Sequence, residues 1–235
     1  MTSPDFCFRT KNYYPKLKTL YVGGAILNIN EARAIKEKYK SADIVYIYGA
    51  TECNLIAKTK LDEYIKHLKN KKIACLGTKA LGVDIKNNDK NEIMVSSKAI
   101  LRQYISGERK NAFVDEAGTF WHKTGDAGRY THEGLYYLGR FDVYAIKNAK
   151  KVHTNPIEQS LTIDFETIKK CAFFYYKGKN RLYIESDKEP DFTSLRSYLL
   201  ERGFADVAIH RIKKLPCDKK HHTKIDYRRL KLKLK

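Results

Sequence analysis

Apolar positions along this chain recur with two periods, about 3.6 residues in some stretches and two in others, and the alternation predicts mixed α and β structure. Residues 17–27 (LKTLYVGGAIL) predict a strand ending in a glycine pair. Asn28 or Asn30 can cap the helix that follows over 31–40, in which Ala32, Ile35 and Tyr39 form one apolar stripe. A second strand over 43–49 (DIVYIYG) completes a βαβ unit, so the two strands should pair in parallel. Residues 60–72 predict an amphipathic helix with Leu61, Tyr64, Ile65 and Leu68 inward; the run 73–85 is strand-like, and so is 91–95 (NEIMV).

The densest run of turn glycines and aromatics lies over 120–161. Within it, WHKTGD predicts a short strand and then a tight turn, with Gly125 at positive φ and the Asp126 carboxylate left to accept hydrogen bonds. After a turn over 132–134 and a strand over 135–138, Gly139 and Arg140 present a guanidinium, and Asp142 follows. The pattern then changes to short strands and two helices. Asn155, Pro156 and Glu158 supply cap, first-turn proline and third-position acid for one helix; Asp191 and Gly203 bracket the other, with Phe192, Leu195 and Leu199 inward. Residues 171–176, 181–186 and 206–212 read as strands. An α/β body over 1–141 followed by a small α+β unit over 142–235 is the expected organisation.

At 43% hydrophobic residues the chain can bury a real core. No apolar run approaches a membrane span, and residues 1–10 lack the basic start and apolar centre of a signal peptide, so a soluble, cytoplasmic protein is expected. Five well-separated cysteines suggest neither a zinc site nor a disulfide framework. The formal charge of +19 would suit nucleic acid or another polyanion. Lysines carry most of it and are scattered over the whole chain instead of forming one stripe, so no specific nucleic-acid partner is expected.

Candidate chemistry sits at strand ends, where α/β sheets bind ligands. The second strand ends in YGATE: Tyr48 offers a flat face to a base, Gly49 lets the backbone approach closely, Thr51 has a hydroxyl for a phosphate oxygen, and Glu52 can hold Mg²⁺. Asp126 suits a pair of sugar hydroxyls, and Arg140 can fork onto hydroxyls or phosphate oxygens. Each string alone is an ordinary turn that binds nothing in most proteins. Their order and spacing carry the signal.

In that order, W-x-x-TGD, a strand, an acid-glycine turn, an aromatic strand, GRxD and NPIE, the chain resembles the C-terminal part of adenylate-forming enzymes, the acyl-CoA synthetase, luciferase and peptide-synthetase adenylation superfamily. The resemblance implies ATP or AMP and Mg²⁺ as ligands, with Gly23, Gly24 and Ala25 lining the adenine, Asp126 and Arg140 on the ribose, and Asp142 as the hinge of a small lid domain. It also implies that Lys224, in the basic tail over 215–230, reaches the reacting carboxylate, with Thr51 and Glu52 completing the catalytic set. The segment LIA at 55–57, the tryptophan and histidine before TGD, HTNPIE, and D-x-K-H-x-T-K-I in the tail resemble the branch of olefin β-lactone synthetases and related fatty-acyl ligases, which implies a fatty-acid substrate. Thr223 stands where that superfamily has glycine, and Ala149 and Lys150 replace the glycine of the loop after the hinge; both departures argue against a standard CoA-ligating second step.

The superfamily's Gly-rich phosphate loop would lie far upstream of Tyr48 and is found nowhere in these residues. The expectation is therefore the C-terminal half of a ligase, a truncated or split subunit working with a separately encoded N-terminal half that carries the phosphate loop. A non-catalytic remnant is the alternative, and a basic nucleic-acid-binding protein a more distant one.

Overall fold

A computed structural model describes residues 2–12, 14–107, 110–218 and 223–232. It opens with a helix that the sequence pattern did not suggest, α1 (Pro4–Arg9), started by the Ser3 cap and by proline in the first turn. Next come β1 (Thr19–Gly23), α2 (Ile29–Lys38) and β2 (Asp43–Ala50), with β1 and β2 parallel as the βαβ pattern requires. Asn28 is the cap of α2: its side chain accepts the Glu31 N–H while the Glu31 carboxylate accepts the Asn28 N–H, both at 2.9 Å.

The chain then turns back antiparallel along β2 as β3 (Asn54–Lys60), which leads into α3 (Leu61–Lys71) with Leu61, Tyr64 and Leu68 buried. The expected strand over 73–85 is a correction. Gly77 and Gly82, at φ of 81° and 72°, break it into β4 (Ala74–Cys75), β5 (Thr78–Lys79) and β6 (Val83–Asn87). Those pieces are parted between two sheets: β5 extends β3, whereas β4 and β6 lie at opposite edges of a six-stranded sheet, in which β6 pairs with β7 (Glu92–Ser97). After β8 (Ala112–Val114) come the long β9 (Phe120–Thr131) and β10 (Gly134–Arg140), on which β4 also pairs.

Asp126 is a second correction, for it lies inside β9 and not on a tight turn after a short strand. Between the pairs Met94↔Lys123 and Glu92↔Ala127 the register shifts, and the extra residues of β9, Gly125 at φ 71° among them, form a bulge. Strands on both sides of β9 carry it through the irregularity, so a positive φ that would end an isolated strand is absorbed.

Beyond Asp142 lie the hairpin β11 (Tyr144–Lys147) and β12 (Lys150–His153), α4 (Asn155–Asp164), β13 (Lys170–Tyr176), β14 (Lys179–Glu185), α5 (Phe192–Glu201), β15 (Val207–Ile212) and α6 (Tyr227–Leu232). Strands β13, β14 and β15 form one sheet, with the second pair parallel across α5. Asn155 is the first residue of α4 and not its cap; Thr154 holds the cap position, and Pro156 fits the first turn. One core cluster gathers side chains from Cys7 to Tyr137, and two others draw on Val143 to Leu230. Among the described residues no helix is long and apolar enough to cross a membrane.

Candidate active site

A cavity of about 860 Å³ opens between the ends of β1, β2 and β10, the bulge of β9, the start of α4 and the C-terminal tail. That volume is within the range of small-molecule sites, roughly 300–1,000 Å³. Asp126 lines the cavity. The β9 bulge delivers it: the Thr124 hydroxyl donates to the Ile93 carbonyl at 2.9 Å and accepts the Asp126 N–H at 3.1 Å.

Both carboxylate oxygens of Asp126 are engaged. The Tyr48 hydroxyl donates to one at 2.7 Å, and Arg140 Nη1 donates to the other at 2.8 Å. The Asp126 side chain is only 14% exposed. Burial raises its carboxyl above the ordinary value, while Arg140, Tyr48 and Lys224 pull it back down. Burial and the Asp126 charge together push the Tyr48 phenol well up, so Tyr48 remains a donor. Each carboxylate oxygen can accept two hydrogen bonds, so Asp126 retains capacity for a pair of hydroxyls beside Tyr48 and Arg140.

Gly24, Ala25 and Gly49 line the same cavity, as the motif positions imply. The reason that Gly49 must be glycine differs from the expected one. A Cβ there would lie 2.0 Å from the Asn54 carbonyl, so the close approach it permits is to the facing strand of the β2–β3 hairpin. Lys224 reaches the cavity from the tail, which is folded back on itself: the Asp218 N–H donates to the Lys224 carbonyl at 2.9 Å and the Asp226 N–H to the Pro216 carbonyl at 2.8 Å. Asp142, 82% exposed, stands at the rim with an oxygen 4.0 Å from Arg140 Nε. Lys219, Lys220 and His221 of the tail motif lie outside the described residues.

Gly23, Thr51 and Glu52 do not line this cavity. Gly23 packs against Ile47, where a Cβ would meet backbone and side chain at 2.6 and 2.5 Å. Thr51 and Glu52 occupy the turn between β2 and β3. There the Tyr104 hydroxyl donates to the Glu52 carboxylate at 2.8 Å, and the Leu101 N–H donates to the Glu52 carbonyl at 2.9 Å. Among the described residues no cluster of three or more potential side-chain ligands could hold a metal by itself. A Mg²⁺ held at Glu52 would need the rest of its ligands from phosphate oxygens and water.

Three cavity residues were not among the expected site residues, although Glu158 belongs to the NPIE motif. Tyr137 contributes a buried phenol from the middle of β10. Glu158, buried in the first turn of α4, accepts the Phe173 N–H at 2.8 Å and the Tyr227 hydroxyl at 3.1 Å, and burial pushes its carboxyl up to about 7. Lys170 donates to the Thr223 carbonyl at 2.7 Å and pairs with Glu31 at 3.0 Å. Burial lowers its ammonium pKa, but Glu31 outweighs this and the net shift is upward.

No family model matches the chain. Among curated proteins it is similar to the D-alanine--D-alanyl carrier protein ligase of Streptococcus pneumoniae, 30% identical over 161 residues that make up 63% of this chain and 31% of that protein. It is also similar to bacitracin synthase 1 of Bacillus licheniformis, 29% identical over 216 residues, 82% of this chain and 4% of that one. In sequence the chain is similar to members of the adenylate-forming, AMP-binding superfamily. It corresponds to the superfamily's C-terminal part, and it spans about a third of the D-alanine ligase it matches. The fold agrees. The amide bond synthetase McbA from Marinactinospora thermotolerans superimposes with a TM-score of 0.79 at 17% identity, over 99% of this chain and 51% of that one. O-succinylbenzoate coenzyme A synthetase (MenE) from Bacillus subtilis, solved with ATP and a magnesium ion, gives 0.66 at 20% identity, over 93% and 48%. These adenylate-forming relatives are named for D-alanine, bacitracin and o-succinylbenzoate, so a fatty-acid substrate finds no support among them.

Proposed function

We propose that this chain supplies the nucleotide-holding and lid portions of an ATP-dependent ligase that activates a carboxylic acid as its acyl-adenylate. One observation carries the reading: Asp126, held by Tyr48 and Arg140, faces Lys224 across a single cavity. In the reaction a substrate carboxylate oxygen bonds to the α-phosphorus of ATP while the bond to the β-phosphate breaks and pyrophosphate leaves. Asp126 and Arg140 bind the ribose, Tyr48 sets the base against the end of β2, and the Lys224 ammonium bridges the carboxylate and the α-phosphate as charge develops. Mg²⁺ would neutralise phosphate charge from Glu52. Asp142 is the hinge about which residues 143–235 swing, carrying Lys224 in for adenylation and out afterwards.

The β- and γ-phosphates need a cradle of backbone N–H groups that these 235 residues do not contain. We assign that cradle to a polypeptide beyond them, the N-terminal half of the ligase. For the acid, the sequence details suggest a fatty acyl chain, whereas the similarity to a D-alanine ligase favours an amino acid. ATP–pyrophosphate exchange decides these points. The chain alone should be inactive, and chain plus N-terminal half should exchange with one class of acid and not the other. Robust exchange by the chain alone would refute the shared-site reading. No exchange with any acid in the reconstituted pair would leave a non-catalytic remnant.

A further inference from the structure

Lys224 projects from a short tail, and something must aim it. We propose that Lys170 is a positioning residue, a clasp that ties the segment before Lys224 to the N-terminus of α2 and so presents Lys224 to the cavity. The importance of aiming Lys224 rests on its reading as the adenylating lysine; the clasp itself does not.

The geometry is a closed circuit. The Lys170 ammonium donates to the main-chain carbonyl of Thr223, the residue before Lys224, and pairs with Glu31. The two side chains are 16% and 18% exposed, so the pair is poorly screened. Glu31 is itself immobilised, because its second oxygen accepts the Asn28 N–H in the capping box. Asn28 Nδ2 in turn donates to the Lys169 carbonyl at 2.9 Å, and Asn30 Nδ2 to the Ile168 carbonyl at 3.3 Å, so the start of β13 is held from the same helix end. Lys170 thus hands the rigidity of α2 to the tail through a backbone acceptor. An ion pair that served only to join β13 to α2 would need Glu31 and no contact with Thr223.

The test uses the chain as it stands. Hydrogen exchange is read at the Lys224 and Asp226 amides, which bond within the tail loop to Asp218 Oδ1 and the Pro216 carbonyl. Lys170→Met should speed exchange there roughly tenfold or more, the factor that loss of one charge-assisted hydrogen bond corresponds to, while β13 and β14 keep their protection. Lys170→Arg keeps a charged donor and should restore most of it. The charge-reversed pair Glu31→Lys with Lys170→Glu rebuilds the ion pair but places no N–H donor at residue 170, so its tail should remain loose. Protected tail amides in the reversed pair, or in a folded Lys170→Met, would overturn the proposal. Should Lys170→Met fail to fold, Glu31→Gln loosens the anchor instead, and an unchanged tail there would count equally against it. In the reconstituted ligase, Lys170→Met should lower kcat for adenylation about tenfold with the KM for ATP near that of the parent. A loose tail with undiminished adenylation would refute the role assigned to Lys224 and leave the clasp standing.

Discussion

Replacing Glu158 with glutamine should stabilise the protein above neutral pH, although it removes a charge that accepts two hydrogen bonds. The side chain is buried, and its carboxyl pKa is raised from 4.5 to about 7, chiefly by desolvation, with the Phe173 N–H and the Tyr227 hydroxyl acting against the rise. A raised acid binds its proton more tightly folded than unfolded. Its contribution is therefore fully present below pH 4.5 and is lost as pH climbs through about 7. At about 1.4 kcal/mol per pH unit, that interval corresponds to ~3 kcal/mol forfeited at pH 8. Glutamine keeps the acceptor oxygen and never ionises. Urea unfolding of parent and Glu158→Gln from pH 4 to 8 is the assay. The parent should lose stability between pH 5 and 7, and the variant should lose markedly less, so the two curves diverge with rising pH. Parallel curves would show that Glu158 is not the group that titrates and that the argument from burial is wrong.

Asp126→Ala should weaken AMP binding in the reconstituted ligase by roughly 2–4 kcal/mol, the worth of two charge-assisted hydrogen bonds, with equal calorimetric affinities reducing Asp126 to a partner of Tyr48 and Arg140. Lys224→Ala should slow single-turnover adenylation by roughly 10²–10³ with nucleotide affinity nearly unchanged, whereas Arg229→Ala, exposed and off the cavity wall, should cost far less; equal losses would make the tail a diffuse cloud of charge. Ala149→Gly should raise stability by about 1 kcal/mol, because Asn148 and Ala149 both have positive φ in the two-residue β11–β12 turn and Asn-Gly suits that turn best; an unchanged or lowered melting temperature would contradict this.

Local physics made much of the architecture readable before any coordinates. The capping box of Asn28 and Glu31 lies within four residues, the stripe of α3 within one helix, and the βαβ pairing within one supersecondary unit, so each is written in neighbouring side chains. The positive φ of Gly125 was legible for the same reason. Its consequence was not: a turn and a bulge demand the same glycine, and only flanking strands distinguish them. The break of 73–85 into β4, β5 and β6 was hidden similarly, since each fragment is defined by a partner strand elsewhere in the chain.

Order and spacing of YGATE, TGD, GRxD and the tail lysine are one-dimensional facts, and by themselves they carried the resemblance to the superfamily and put Tyr48, Asp126, Arg140 and Lys224 forward as a set. Tertiary structure decided which of the motif residues meet. It joins Tyr48 to Asp126 across 78 positions and leaves Glu52 in the β2–β3 turn beside Tyr104. It alone revealed Lys170, and it alone placed Glu158 in the cavity wall. A lysine opening a strand and a glutamate in the first turn of a helix have ordinary roles in sequence, and both acquire others through partners that folding delivers: Glu31, 139 residues from Lys170, and Tyr227, 69 residues from Glu158. Burial, which sets the charge of Glu158 and the strength of the Lys170 clasp, is a property of those distant neighbours and is written in no single stretch of the chain.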